Sequence, residues 1–150
     1  MKNLFDAAEV GEVKARLDGL GPGSERLWGT MSAPQALAHC AIGFEMAAGE
    51  LLPPRVMIGR ILGPIIKPLA LKDDAPMRKN SPTVEGMVIL DEPDLEVERE
   101  RLLGLIDRFA ARGSAGCTSH PHAFFGRLTG DQWAILMYKH MDHHLRQFGA

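Results

Sequence analysis

The chain has 150 residues, 45% of them apolar and 24% charged, with a net charge of −2 and a pI near 6.3. A domain of this size buries about two thirds of its unfolded surface, which is enough for a core without covalent staples, so one domain over residues 1–150 is expected. The charge balance excludes the basic footprint of a nucleic-acid binder and offers no general membrane-binding surface.

Two cysteines, Cys40 and Cys117, do not make a disulfide framework, and reduced thiols in a cytoplasmic protein are expected. Residues 1–10 carry acids and lack an apolar run, unlike a signal peptide. The longest apolar stretch, residues 56–71, is interrupted by Arg60, Pro64, Lys67 and Pro68, and is too short to span a bilayer.

Four helices follow in chain order. The first is predicted over residues 7–20, with Asp6 as N-cap, Glu9 completing a capping box, and Gly21-Pro22-Gly23 as the stop. Its apolar residues Val10, Val13, Leu17 and Leu20 recur at helical spacing. The second is predicted over residues 33–50, with Ser32 as N-cap, Pro34 in the first turn, Gln35 closing the capping box and Pro53-Pro54 as the stop.

A linker of about 40 residues comes next, long for a compact domain. Residues 56–62 suit a short helix within it, after which Pro64 and Pro68 predict an extended path. The third helix is predicted over residues 92–112, capped by Asp91, with acids in its first turn and a buried stripe of Leu95, Leu102, Ile106 and Phe109. The fourth is predicted over residues 130–148, with Thr129 and Gln132 as a third capping box. No alternating strand pattern appears, and the reading is an all-α, four-helix bundle with one long crossover between its second and third helices.

Three of the six histidines lie in the last helix. His140 and His144 fall within about 40° of each other on a helical wheel. They share a face with Trp133, Leu136, Met137, Gln147 and Phe148, so both imidazoles are expected to point inward, with His143 at the edge of that face and Asp142 and Arg146 facing away. Each buried imidazole has two ring nitrogens to satisfy, and a metal ion satisfies one on each ring at once. Met141 stands where the zincin motif has its glutamate, so protease chemistry is not indicated. In the second helix His39 lies one turn after Gln35, and Gly43, one turn further, is expected to leave space beside the His39 imidazole.

These residues form a pattern. Trp28 and the run Met31-Ser-Ala-Pro-Gln-Ala-Leu-Ala-His39 are followed, about a hundred residues on, by Tyr138-Lys-His140-Met-Asp-His-His144-Leu-Arg-Gln147. The chain resembles the DinB/YfiT-like superfamily of metal-binding four-helix bundles, and a domain-of-unknown-function branch of it in particular. The likeness extends to Gly59-Arg-Ile-Leu-Gly-Pro64, Asn80-Ser-Pro82 and His120-Pro-His122-Ala-Phe-Phe-Gly126.

The resemblance implies an up-down-down-up bundle. It also implies a divalent ion, zinc or nickel, held by His39, His140 and His144, and a homodimer as a common assembly. It further implies chemistry on a small-molecule substrate, with thiol-dependent S-transfer to a small electrophile and a low-molecular-weight thiol as cosubstrate. A metal-dependent hydrolase and a non-catalytic metal or small-ligand binder stay open beside it, as does a bundle without metal. No carboxylate is clearly placed as the general base a hydrolase wants. Gln35, Gly43, His120, His122, His143 and Gln147 are the candidates for the surroundings of the site. Gln147 lies where it could orient His144 from behind, and His120 and His122 could rim the pocket, supply a further ligand or cap helix ends.

Overall fold

A computed structural model describes residues 1–150 and is all-helical. Five α-helices follow in order: α1 (Ala7–Asp18), α2 (Ala33–Ala47), α3 (Met57–Ala70), α4 (Leu95–Arg112) and α5 (Gly130–Gln147). Two short 3₁₀ turns, Glu85–Met87 and Ser114–Gly116, lie before and after α4. The core gathers between α1, α2, α4 and α5, where α2 packs against α4 and α5, and α1 packs against the same two helices. No helix is long and apolar enough to cross a membrane.

The polar starts of α2 and α5 follow their capping residues. Ser32 and Gln35 close one reciprocal box and Thr129 and Gln132 another, each satisfying amide donors that the first helical turn leaves free. At α1 the expected box does not close. Asp6 accepts from the Ala8 amide, and Glu9 turns instead to the Lys2 ammonium at 3.1 Å. The start of α4 lies three residues later than expected. Asp94, not Asp91, caps it by accepting from the Val97 amide, while the Asp91 carbonyl accepts from the Gln35 side chain and keeps residues 89–91 in the crossover.

The crossover departs most from the sequence reading. Instead of a short helix and an extended path, α3 runs through both Pro64 and Pro68. Arg60, Pro64 and Pro68 succeed one another a turn apart on an exposed row. The carbonyls of Arg60 and Pro64, deprived of their intrahelical partners, therefore face water rather than the core, which makes the prolines tolerable. Two further contacts hold α3. Gly59 and Gly63 bring its backbone onto the backbone of Phe124, so that a Cβ on Gly63 would stand 2.4 Å from the Phe124 carbonyl oxygen. At its C-terminal end the buried Lys139 ammonium donates to the carbonyls of Ala70 (2.7 Å) and Asp73 (2.9 Å), cations being favoured at that end of a helix.

The second apolar face of α5 is covered from within the chain. Tyr138 and Leu145 are buried where α1 and the N-terminal residues pack on α5, and Lys2 lies over the Tyr138 ring. Asp142, expected to face away, does turn from the histidines but is buried. It bonds Arg16 of α1 at 2.8 Å and Arg146 at 2.7 Å.

Alanine is a better helix former than glycine by about 1 kcal/mol, yet its effect depends on what the added methyl meets. Gly63→Ala pushes α3 off Phe124 and is expected to destabilise the fold by about 1–3 kcal/mol. Gly104→Ala, on the exposed side of α4 with nothing within 4 Å, is expected to stabilise it by up to about 1 kcal/mol. Chemical denaturation of the two variants checks the opposite signs.

Candidate metal centre

His39 and Gly43 come from the middle of α2, and His140 and His144 from the last two turns of α5. One ring nitrogen from each of His39, His140 and His144 lies within 4.8 Å of the others. The rings stand edge to face with centroids 4.8–5.0 Å apart. His39 and His144 are 5% and 8% exposed. Gly43 makes room for the arrangement, since a Cβ there would press on the His140 Nδ1 at 3.3 Å and on Met137 at 3.1 Å. The space that Gly43 leaves thus serves His140 across the helix pair.

The hydrogen bonds decide which nitrogens face inward. The Met87 carbonyl can only accept, so His39 donates to it from Nδ1 at 2.9 Å and keeps its lone pair on Nε2. The Gln147 amide donates through Nε2 to the Trp28 carbonyl at 2.9 Å. Its oxygen must then be the atom at 2.8 Å from His144 Nδ1, so His144 also carries its proton on Nδ1 and leaves Nε2 free.

This is the arrangement in which an outer partner fixes the tautomer of a metal-binding imidazole. His140 Nε2 lies 2.8 Å from His39 Nε2 and donates to it. A divalent ion held by the three imidazoles would replace that hydrogen bond and would ask His140 to carry its proton on Nδ1 instead. The three residues therefore could hold a metal ion.

Burial also prepares them electrostatically. Desolvation disfavours each imidazolium. It lowers His39 below the ordinary histidine value, offset in part by the Met87 carbonyl. It lowers His144 to about 3, with His39 adding to the effect. It holds His140, with His39 and His144 alongside, well below that value. All three are neutral at pH 7, the state a metal ligand needs.

The remaining candidates are more scattered. His143 packs against His144 and meets the Trp28 ring edge-on, and Lys79 covers that ring from 4.2 Å. Gln35 is committed to the α2 capping box and to the Asp91 carbonyl, so it braces the crossover that carries Met87. His120 bonds the Pro53 carbonyl at 3.1 Å, away from the cluster. His122 accepts the amides of Phe124 and Phe125 on its Nδ1, which holds its own loop together, and lies against Trp133. Cys40 is fully buried, and burial keeps its thiol protonated. No carboxylate joins the three imidazoles.

The carbonyls of Met87 and Trp28 have no signature in sequence. Gly29, with φ +76°, is the one hint at the second of them. A side chain there would strain the backbone and stand 2.5 Å from the Gln147 amide nitrogen.

Fold and site together define an all-helical protein with a largely buried three-histidine cluster that could hold a divalent metal. A family described as "Protein of unknown function (DUF1569)" matches residues 3–150, and the chain belongs to that family. No curated protein and no solved structure matches the chain.

Gln147→Leu removes the acceptor that orients His144, and zinc affinity is expected to fall about 10–100-fold. His120→Gln, changed outside the cluster, is expected to leave affinity as it is. Competition against a chromophoric zinc chelator measures both.

Proposed function

We propose that the chain is a metal-dependent enzyme with a DinB-like, up-down-down-up bundle, in which His39, His140 and His144 hold zinc or nickel for thiol-dependent transfer to a small electrophile. One observation carries this reading: His39, His140 and His144 bring one ring nitrogen each within 4.8 Å of the others, while the Nδ1 atoms of His39 and His144 are tied to the Met87 carbonyl and to Gln147. A structural role for the histidines would have no use for that convergence. When bound, the ion keeps its double charge beside three neutral ligands and supplies Lewis acidity, lowering the pKa of a thiol or water in its remaining position.

The protein's own contribution is orientation and exclusion of water. α2 and α5 fix the imidazoles from opposite sides, and the apolar residues around them keep the local dielectric low. Lys79, held on the Trp28 ring on the far side of His143 from His144, is a cation on the approach to the cluster that suits an anionic thiol or electrophile. The chemistry sought is formation of a bond from the thiol sulfur to an electrophilic carbon, with the thiol proton lost to solvent and the leaving group departing with its electron pair. No carboxylate stands with the imidazoles to act as the general base of a hydrolase, which ranks S-transfer above hydrolysis.

A second reading, a non-catalytic metal or ligand binder, has one observation in its favour. His39 and His144 are buried, which leaves little of the site open to a substrate.

The test is turnover by zinc- or nickel-loaded protein with a low-molecular-weight thiol and an epoxide or activated aryl chloride. Thiol consumption above the uncatalysed rate, returned to background by His144→Ala and by chelator, is the expected result. Ester cleavage that does not depend on thiol moves the assignment to hydrolase, and full metal loading with no turnover of either kind moves it to the binder.

A further inference from the structure

The outer face of α3 is unexplained by anything in the metal centre. Met57, Ile58, Ile61, Ile65 and Leu69 are 57–74% exposed and Leu62 is 36% exposed, while Gly59 and Gly63 on the opposite side meet Phe124. At about 100° per residue these apolar side chains cover one continuous arc, and Arg60 and Lys67 share the flank between that arc and the protein. A contiguous exposed apolar surface of this kind marks an interaction site.

Charge indicates what meets it. Residues 51–72 contain Arg55, Arg60, Lys67 and Lys72 and no acid at all. The first acids beyond, Asp73 and Asp74, are engaged by the Ala75 amide and by the Lys2 amide. The chain-wide charge of −2 hides this local bias, which is why composition gave no sign of a membrane partner.

Along the flank of α3 lies a second, independent feature. An open hollow of about 460 Å³ is lined by Lys67, Ser119, Arg127, Leu128, Thr129 and Gln132, without a carboxylate. The Lys67 ammonium also reaches the Arg127 carbonyl at 3.0 Å, so the hollow adjoins the helix directly.

We propose that α3 is an interfacial helix that docks this protein on an anionic lipid surface, with its apolar arc in the acyl boundary and a lipid phosphate in the Lys67–Arg127 hollow. Helices of this type lie in the membrane plane with their apolar side about 5–10 Å deep and their cations at headgroup level.

Flotation of the full chain with vesicles tests the proposal. Wild-type protein is expected to float with an equal mixture of phosphatidylcholine and phosphatidylglycerol and to stay free of pure phosphatidylcholine. Ile61→Glu with Ile65→Glu, both at exposed positions, abolishes flotation while the thermal midpoint and zinc content stay as in wild type. Arg127→Gln lowers partitioning about fivefold.

Failure of the wild type to float overturns the proposal, and so does flotation that survives the glutamate pair. Two measurements identify what replaces it. Sedimentation velocity showing a dimer that Ile61→Glu dissolves assigns the face to a second copy. Inorganic phosphate bound by a non-floating monomer and lost in Arg127→Gln assigns the hollow to a free anion.

Discussion

Three imidazoles in mutual contact at the edge of an apolar core, two of them buried, are costly unless each ring nitrogen finds a partner. That requirement organises the surroundings of the site. It explains why Gln147 is buried against a main-chain carbonyl, why the crossover folds back to bring the Met87 carbonyl over α2, and why Gly29 and Gly43 stand where any side chain would collide with Gln147 or His140. Burial then keeps the rings uncharged, and His39 Nε2 and His140 Nε2 face each other at 2.8 Å across a single shared proton. A cluster of this kind is under-satisfied as an end in itself and well matched to a cation.

The elements that hold the cluster are tied to one another through their ends. Gln35 closes the start of α2 and at the same time grips the carbonyl of Asp91, which fixes the crossover on the side where Met87 must lie. Lys139, on α5 beside His140, caps α3 and fixes the crossover at its other end. Asp142, between the cluster residues in sequence but turned toward α1, locks the outer side of α5 through Arg16 and Arg146. The register of α5, and with it the aim of His140 and His144, thus depends on polar contacts on both faces of one helix.

Much of this was legible in sequence for physical reasons. Capping residues and a 3.6-residue apolar period are local, so α2 and α5 were readable nearly to their ends, and the i, i+4 spacing of His140 and His144 put both on the inward face. The parts that were not legible depend on contacts far along the chain. α3 was expected to break at Pro64, but the cost of its prolines is set by which side of the helix faces water, and that is decided by Phe124. The true cap of α4 depends on Gln35 claiming the Asp91 carbonyl. Asp142 looked solvated because its partner Arg16 lies 126 residues away. His120 could be assigned to the pocket or to a helix end, and only the proximity of Pro53 separates it from the cluster. The carbonyls that set the histidine tautomers leave no side-chain trace.

The central claim is that α2 and α5 together hold one divalent ion. Elemental analysis by plasma mass spectrometry addresses it directly, using tag-free protein purified without added metal beside the His140→Ala variant. About one zinc or nickel per chain, largely lost in the variant, is the result this account predicts. Metal-free wild-type protein that takes up neither zinc nor nickel on incubation would contradict it and leave the three histidines as packing groups.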